Sequence, residues 1–599
     1  MDIADTVINF YTYETTALNA PAPFADSTVN LRQEFDRIRH QQYDTDYDFN
    51  VDLFFTTNRL HDGHTLWLPR CYIDVFQNLL PIPIVSLENK AMEGVYSSAQ
   101  EAIYVVPDAD AFFDSFLNGS FSQYYKDRGF DIKRYAGAKV ISIEGMDPYA
   151  YVRQIASNYT GDFLDDGIRQ SMVYSSYRYV GGRWGQRIGD FAGPTVPTYP
   201  KYEIEVVLLP RGANASETLT VPYVSTLIGE DFTDQASYWE NNCAANDLTN
   251  GVDYKEFMAT LNRSNITNTS SSLDGISSIL KGRMALGALP DLNARKQAID
   301  LPPAYVPSTG NFSGSDSVTY FTMIPDTTVG VMVIGSFAPE DPAGWQQTVL
   351  DGLNGLSSRG ADHLIIDVTN NGGGYVCDGL WLHRLLAGPS VDRNAGFEAA
   401  IRVNEFVQEL VQADIELAKS YNFFENYLYP TQNLSINDVQ DFFSKRHADS
   451  CTPFHVDKVP TEQPFDLSKV IIVGNGVCAS TCSAFTTLMQ QLHGVKMINF
   501  GVAKQAYSGM AGAEVLDWSA LDSEFKTANL KDHPLAGPKT LLVNGKFRVN
   551  WRASYSYQKP DTFSPYSGDI ADYSYPYTET TWNRPQAVWT FAAKEVLGV

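Results

Sequence analysis

The chain has 599 residues, of which 44% are hydrophobic, 13% aromatic and only 19% charged. That composition supplies enough apolar surface for a large core and excludes a globally disordered chain. The formal net charge of −26 gives an acidic surface that repels phosphates, so we expect no nucleic-acid partner. No apolar stretch approaches the roughly 18 residues that a membrane-spanning helix needs, so we expect no membrane partner.

Cysteine usage and glycosylation acceptors point to an oxidising compartment. The six cysteines are an even number at wide spacing, which is typical of a few disulfides. Asn-x-Ser/Thr acceptors occur eight times, at Asn118, Asn158, Asn214, Asn262, Asn265, Asn268, Asn311 and Asn433. The N-terminus lacks a charged and then apolar leader, so we expect a secreted, extracellular glycoprotein whose signal peptide is absent from this sequence. A cytosolic protein with buried thiols is the alternative.

The first half of the chain divides into three regions. Residues 1–85 are predicted to be a helical N-terminal segment, with one helix over 29–43. Residues 86–228 contain short apolar runs that predict a β-rich domain. The predicted strands in that domain are 102–106, 139–144 and 203–209. Residues 229–318 are polar and rich in Ser, Asn and Gly, which favours a linker with helices and a long exposed loop.

From residue 319 to residue 599, predicted strands alternate with predicted helices. Residues 329–334 form an unbroken apolar run, and Asp341 and Pro342 are typical of a helix start. Gly360 is typical of the end of that helix. Further strands are predicted over 363–368, 469–473 and 495–500. Such units build a parallel sheet with right-handed crossovers, so this region is predicted to be α/β and the whole chain multidomain α+β.

Three segments could carry chemistry at the carboxyl ends of such strands. The first, 367–374, is a strand that runs into three consecutive glycines. The second places Ser480 near the start of a helix, where the positive helix end favours a developing negative charge. The third, 60–65, lies far away in the chain and contains His64.

Together these segments contain the groups of an acyl-transfer site. Ser480 needs a base to be nucleophilic near neutral pH, and His64 could supply it. The backbone N–H groups of Gly373 and Thr481 could hold an oxyanion, because glycine allows close approach and Thr481 follows the serine. No acid or cysteine completes a metal-ligand spacing with His61 and His64, so neither a metal nor another cofactor is expected.

The same three segments resemble the S41 family of serine peptidases, which includes tail-specific proteases and the chlamydial protease-like factor. Residues 367–374 are similar to the family's Asp-Leu-Arg-x-Asn-x-Gly-Gly, with Val-Thr in place of Leu-Arg. Ser480 matches the family's nucleophile, although Cys-Ser at 482–483 replaces the usual small residue and Glu. Residues 60–65 are similar to the Leu-x-Asp-x-His-Thr of the branch that uses a Ser–His pair. The aromatic, acidic composition looks most like that of secreted fungal members.

The resemblance implies a fold and an activity. It implies a ClpP/crotonase-like catalytic domain over 319–599 with a C-terminal extension, and a PDZ-like domain over 86–228. It implies a serine endopeptidase that acts on peptide or protein substrates, and a homodimer is one assembly it allows. In the tail-specific branch the base is a lysine that follows the serine, and Lys504 lies 24 residues after Ser480 (504 − 480). Lys504 is therefore the alternative base.

The resemblance also implies an acid that orients the histidine. In the Ser–His branch this acid lies downstream of the serine. Asp569, in a Gly-Asp-Ile-Ala-Asp stretch, is similar to a C-terminal segment of fungal relatives. Glu514, which follows a glycine-rich turn, is the alternative acid.

Two other functions remain open from the sequence. A catalytically weak or inactive binding protein can share the fold without its chemistry. An esterase or a transferase would also use an acylated serine, but the nucleophile segment is not the Gly-x-Ser-x-Gly of the common esterase fold.

Overall fold

The computed structural model describes residues 1–88, 101–111, 120–194, 202–251, 299–308, 310–312, 317–388, 398–416, 431–446, 451, 462–501, 515–537 and 540–599. Two predicted site residues, Lys504 and Glu514, lie outside these ranges. Most of the predicted linker and four of the predicted glycosylation acceptors lie outside them as well.

Helices surround the sheets in the described ranges. Their bounds are Asp2–Ile8, Glu14–Ala17, Leu31–His40, Asp46–Asn58, Arg70–Ile73, Ser120–Asp127, Ile132–Tyr135, Pro148–Ile155, Asp166–Val173, Gln235–Tyr238, Asp247–Asn250, Pro342–Ser358, Val376–Ala387, Glu405–Glu416, Thr481–His493, Trp518–Thr527 and Pro585–Ala592. The predicted N-terminal helix is Leu31–His40, where the Asn30 side chain accepts a hydrogen bond from the Gln33 N–H at 3.2 Å. The helix predicted after Asp341 is Pro342–Ser358. None of the described helices is long and apolar enough to cross a membrane.

A six-stranded sheet, called here the central sheet, contains the predicted apolar runs. Its strands, in spatial order, are Thr319–Met323, Val329–Ile334, His363–Asp367, Val470–Gly474, Lys496–Phe500 and Tyr573–Tyr575. The first two strands pair antiparallel and the others are parallel, as the strand–helix alternation predicts. The middle strands are buried on both faces, which explains their continuous apolar sequences.

An antiparallel five-stranded sheet, called here the β-rich sheet, forms the region predicted to be rich in strands. Its strands are Ile84–Glu88, Glu101–Val105, Lys139–Ile143, Glu203–Leu209 and Glu217–Pro222. Three of them match the predicted strands. Val206 of this sheet and Val331 of the central sheet belong to the same buried cluster, so the two sheets share a core.

Smaller sheets connect distant parts of the chain. In one three-stranded sheet, Gly545–Asn550 lies between Leu66–Pro69 and Val515–Asp517, and in the other, Arg183–Arg187 lies between Ser176–Val180 and Ile299–Asp300. The two-stranded sheets pair Phe76–Leu79 with Val224–Leu227, Ala399–Ile401 with Arg552–Ser554, and Gln432–Ile436 with Val439–Phe443. Trp67 packs on Phe547 with ring centroids 6.2 Å apart, and Phe10 packs on Phe406 at 6.4 Å. The N-terminal segment therefore shares a core with the C-terminal part of the chain.

Two neighbouring strands of the central sheet end at the same edge. Asp367 and Val473 are register partners in the parallel pair formed by these strands. The segment after Asp367 leads into the three glycines, and the segment after Gly474 leads to Ser480. Because both segments leave the sheet at its carboxyl edge, they meet there.

Candidate active site

Ser480 lies at the N-cap of the helix Thr481–His493, called here the Ser480 helix. Its backbone has φ 53° and ψ −123°, a strained conformation that residues with a side chain rarely adopt. Ser480 is only 3% exposed, and its hydroxyl makes no capping hydrogen bond to the helix. A serine at this position normally caps the helix. Here the hydroxyl is not used for capping and lies at the positive helix end.

The glycine turn, residues 372–374, packs directly on Ser480. A Cβ atom at Gly373 would lie 2.7 Å from the Ser480 Cβ and 3.1 Å from the Thr481 nitrogen. Gly373 also has φ 93°, which favours glycine. The Thr481 hydroxyl donates a hydrogen bond to the Gly374 carbonyl oxygen at 2.8 Å. The glycine turn and the start of the Ser480 helix therefore form one contact surface that a larger residue would disrupt.

The two predicted oxyanion donors have different partners. Thr481 is the first residue of the Ser480 helix, so its N–H has no acceptor within that helix. The Gly373 N–H instead donates to the Asn371 side-chain oxygen at 2.8 Å. A substrate oxygen would have to replace Asn371 to use the Gly373 N–H. The same asparagine also accepts the Ala479 N–H through its carbonyl oxygen at 3.0 Å, which ties the glycine turn to the Ser480 segment.

His64 is fully buried in a turn, residues 61–65, called here the histidine turn. The Asp62 carboxylate accepts hydrogen bonds from the His64 N–H at 3.0 Å and from the Thr65 hydroxyl at 2.9 Å. Burial raises the pKa of Asp62, and these hydrogen bonds oppose that shift. Asp62 therefore fixes the backbone of the histidine turn.

The strand Gly545–Asn550 holds the histidine turn from its other side. Arg548 donates through Nη2 to the Gly63 carbonyl oxygen. The Asn550 N–H donates to the Thr65 hydroxyl oxygen at 2.9 Å. Arg548 is only 1% exposed, so its guanidinium acts inside the protein. The histidine is thus positioned by contacts to the residues on both sides of it.

Buried charges surround the histidine turn. Burial lowers the pKa of Arg548 to about 10, although the carboxylates of Asp162, Asp62 and Asp517 favour its charged form. Burial, together with repulsion from Asp190, raises the pKa of Asp162 to about 7. A carboxyl that titrates near neutral pH therefore lies among these charges. Sequence reasoning missed Asp162 and Arg548 because no local pattern marks them.

A buried contact links the histidine turn to the Ser480 segment. The Gly63 N–H donates to the Asp162 carbonyl oxygen at 3.0 Å. Phe163, the next residue, packs in one buried cluster with Ala479, which precedes Ser480. The histidine turn and the serine therefore adjoin the same cluster, although 416 residues (480 − 64) separate them in the chain.

Asp569, the predicted orienting acid, binds the Ser480 helix, and its role as that acid stays a prediction. Its carboxylate accepts hydrogen bonds from the Gln491 side chain at 2.6 Å and from the Ser567 hydroxyl. Gln491 lies 11 residues (491 − 480) after Ser480 in the Ser480 helix. At about 1.5 Å per residue, that is about 16 Å along the helix. Asp569 therefore binds the end of the helix that is remote from Ser480.

His61, the other histidine of the turn, has a structural role. Its Nδ1 forms a hydrogen bond with the Ser27 hydroxyl at 2.9 Å. Burial is the main cause that lowers the pKa of His61 to about 4, so the ring is neutral at physiological pH. Among the residues that the structure describes, no group of three or more His, Cys, Asp or Glu side chains could hold a metal ion.

The cysteines pair as disulfides, as their even number predicts. The pairs are Cys71–Cys243, Cys377–Cys451 and Cys478–Cys482. The last pair forms the C-x3-C pattern of the sequence and closes a short loop that contains Ser480.

A buried carboxylate anchors the strand that leads to the glycine turn. Asp367 accepts hydrogen bonds from the Tyr177 hydroxyl and the Trp589 Nε1, both at 2.7 Å, and from the Thr369 N–H at 2.9 Å. Burial raises the pKa of Asp367, while these hydrogen bonds oppose the shift. Asp367 thus connects the carboxyl edge of the central sheet to two remote parts of the chain.

Comparison with known proteins shows relatives along most of the chain. No protein-family model matches it. It is 22% identical over 583 residues to the Peptidase S41 family protein phomP1' of Diaporthe leptostromiformis, covering 88% of this chain and 76% of that protein. It is 24% identical over 319 residues to the Peptidase S41 family protein ustP of Aspergillus flavus, covering 43% of this chain and 66% of that protein.

The fold is similar to that of a solved structure. The structure of mature CPAF complexed with lactacystin superposes with a TM-score of 0.51 and 13% sequence identity, covering 100% of this chain and 98% of that one. Mature CPAF without that compound gives a TM-score of 0.50. At this identity the comparison establishes a shared mixed α/β fold.

Proposed function

We propose that this chain, an S41 family peptidase, hydrolyses internal peptide bonds with Ser480 as the nucleophile and His64 as the general base. The observation that carries the proposal is the conformation of Ser480. Its backbone is strained at a helix start, its hydroxyl is not used for capping, and its Cβ packs on a turn that has no room for a residue larger than glycine. A serine with a purely structural role would not require this arrangement.

The proposed reaction proceeds through an acyl-enzyme. His64 takes the proton of the Ser480 hydroxyl as the oxygen attacks the substrate carbonyl carbon, and then returns that proton to the leaving amine. Water, activated by the same histidine, releases the acyl group. The Thr481 N–H would hold the oxyanion, joined by the Gly373 N–H when the substrate oxygen replaces the Asn371 side chain.

The position of the histidine turn supports His64 as the base. The turn is held by Arg548 and Asp62 and adjoins the cluster that contains Ala479. Lys504 stays the alternative base. Asp569 stays a candidate for the orienting acid, with Glu514 as its alternative. Lys504 and Glu514 lie outside the described residues.

The β-rich sheet supports a proposal for peptide capture. We assign residues 86–228 to a PDZ-like domain beside a ClpP/crotonase-like catalytic domain. A PDZ-type domain captures a chain terminus by adding it as a strand to a sheet edge. At one edge, the Glu88 N–H already donates to the Tyr577 carbonyl oxygen at 2.8 Å. The opposite edge, Glu217–Pro222, pairs with no further strand among the described residues and would receive the peptide.

The proposal further assigns residues 1–85 to an N-terminal segment that supplies the base, and 229–318 to a linker. The disulfides agree with an oxidising compartment, so we propose a secreted glycoprotein. Peptide or protein chains are its partners, and a homodimer is a further assembly to test.

A direct test compares the wild type with Ser480→Ala, His64→Ala and Lys504→Ala on a mixed peptide library across about pH 5–9. We expect Ser480→Ala and His64→Ala to lose at least about 10³-fold in kcat/KM, and Lys504→Ala to stay within about twofold. Loss with Lys504→Ala and retention with His64→Ala would assign the base to the lysine. A fluorophosphonate that fails to label wild-type Ser480, together with no cleavage, would instead indicate a binding protein.

A further inference from the structure

The disulfide Cys478–Cys482 encloses Ser480. The two cysteines are separated by only 4 positions, with Ser480 midway between them, and their Cα atoms lie 5.3 Å apart. Cys478 is 3% exposed and Cys482 is fully buried. The covalent bond therefore lies in the protein interior, immediately around the proposed nucleophile.

The size of the loop argues for a local role. A disulfide stabilises the whole fold mainly by restricting the unfolded chain, and this effect grows with the length of the closed loop. The other two disulfides close loops of 172 and 74 positions, whereas this one spans 4. Its contribution to global stability is therefore the smallest of the three. What it does restrict strongly is the backbone between the two cysteines.

Each end of the short loop is attached to a different part of the site. On one side, the Ala479 N–H donates to the Asn371 carbonyl oxygen at 3.0 Å, which ties the loop to the glycine turn. On the other side, the Cys482 carbonyl oxygen accepts the Thr486 hydroxyl at 3.0 Å within the Ser480 helix. The disulfide thus fixes the spacing between the glycine turn and the helix start. The strained Ser480 backbone lies between these two anchors.

We propose that Cys478 and Cys482 are positioning residues whose disulfide holds Ser480 in its reactive conformation, so that the peptidase is active only in its oxidised form. The inference rests on the proposed function. Without the crosslink, the segment can relax toward an ordinary helix N-cap, in which the serine hydroxyl bonds to the helix N–H groups instead of facing substrate. Displacement of a reacting atom by about 1 Å is enough to reduce the rate by about a hundredfold.

The redox step needs a dithiol reductant. One of its thiolates attacks a sulfur of Cys478–Cys482 and forms a mixed disulfide, and its second thiolate then displaces the remaining cysteine. Two electrons and two protons pass to the protein, which gains two thiols, and the reductant becomes a disulfide. Because both cysteines are buried, this exchange requires local opening of the segment. In an oxidising compartment the disulfide stays formed, and the enzyme therefore stays active.

The test compares the double variant Cys478→Ala/Cys482→Ala with the wild type. The control, Cys71→Ala/Cys243→Ala, removes a disulfide with a much longer loop. We expect the first variant to lose about 10- to 100-fold in kcat and in the rate of fluorophosphonate labelling, with KM within about twofold. We expect the control to lower Tm more but to keep kcat within about twofold. A kcat within about twofold of wild type in Cys478→Ala/Cys482→Ala would overturn the inference.

If Cys478→Ala/Cys482→Ala does not fold, a second measurement on the wild type tests the role of this disulfide. The wild type is treated with increasing dithiothreitol, its free thiols are alkylated, and peptide mapping gives the reduced fraction of each disulfide. We expect activity to fall in proportion to reduction of Cys478–Cys482 and to return on reoxidation. Full activity with this disulfide reduced would overturn the inference alone. Absence of cleavage and labelling in the untreated wild type would overturn the proposed function itself.

Discussion

The buried guanidinium of Arg548 donates a hydrogen bond to the carbonyl oxygen of Gly63, the residue before His64. The two residues are 485 positions apart, so the strand Gly545–Asn550 positions a histidine turn that lies in the N-terminal segment. Arg548 also balances the buried carboxylates of Asp162 and Asp62. This one side chain therefore contributes both to the geometry of the histidine turn and to its charge balance.

Replacing Arg548 is expected to reduce both stability and activity. Arg548→Met removes a buried cation that the carboxylates of Asp162 and Asp62 interact with, a change that typically destabilises a protein by about 3–5 kcal/mol. It also removes the donor to Gly63, so kcat should fall more than KM rises. Arg548→Lys, which keeps the charge, should recover part of the stability. Thermal unfolding and peptide kinetics measure both effects.

The exposed pair of Lys469 with Asp362 provides the control. Lys469→Met should leave Tm and kcat unchanged, because surface ion pairs contribute little. Equal effects of Lys469→Met and Arg548→Met would contradict the assigned role of Arg548.

Gly373→Ala is expected to abolish activity by steric overlap. The new methyl group would lie 2.7 Å from the Ser480 Cβ and 3.1 Å from the Thr481 nitrogen, closer than van der Waals contact allows. We expect kcat/KM to fall by more than about a hundredfold. Gly360→Ala is the matched control, because Gly360 also has positive φ, 85°, but has nothing within 4 Å of the added atom. It should lose about 1 kcal/mol of stability and keep its kcat. Similar kinetics in the two variants would contradict the proposed contact.

The fold was predictable where the sequence pattern is local. The run 329–334 is apolar at successive positions because both faces of its strand are buried, and this burial leaves a visible signal. The glycine turn and Ser480 were predictable for a similar reason, since each follows directly on such a strand. The hydrogen bond between Arg548 and Gly63 leaves no such signal in the sequence. No local pattern of residues distinguishes a buried arginine from an exposed one.

The orienting acid is a second feature that local sequence patterns do not predict. Asp569 was chosen from a family-like stretch, yet its carboxylate binds Gln491 at the remote end of the Ser480 helix. Whether an acid reaches the histidine depends on tertiary packing, which short sequence patterns do not encode. Two buried acids occur at the histidine turn, Asp62 within it and Asp162 in contact with it.

Asp569→Asn is therefore expected to leave catalysis intact. The amide oxygen can still accept from Gln491, so the loss of stability should be about 1 kcal/mol or less. We expect kcat/KM within about twofold of the wild type when both are assayed on one peptide substrate. His64→Ala, measured in parallel, shows how far kcat/KM falls when a proposed catalytic residue is removed. A comparable loss in Asp569→Asn would instead assign the role of orienting acid to Asp569.

Asp378 is expected to make the protein less stable as the pH rises. Asp378 is 2% exposed, and its carboxyl accepts a hydrogen bond from the Gln346 side chain at 3.1 Å. Burial raises the pKa of this carboxyl from 3.8 to about 7. Between these values the unfolded chain releases the proton while the folded protein keeps it. The folded state then binds more protons, so stability falls as the pH increases from about 4 to about 7. The total change is up to about 4 kcal/mol, at about 1.4 kcal/mol per pH unit.

Asp378→Asn removes this titration and keeps the acceptor for Gln346. At about pH 4 the variant and the wild type should unfold at similar temperatures, and above about pH 7 the variant should be the more stable. Asp351→Asn, at an exposed carboxyl that accepts from Gln347, is the control and should follow the wild type at every pH. Thermal unfolding across this range tests the assignment. A constant difference between Asp378→Asn and the wild type would show that the folded protein does not hold the proton on Asp378.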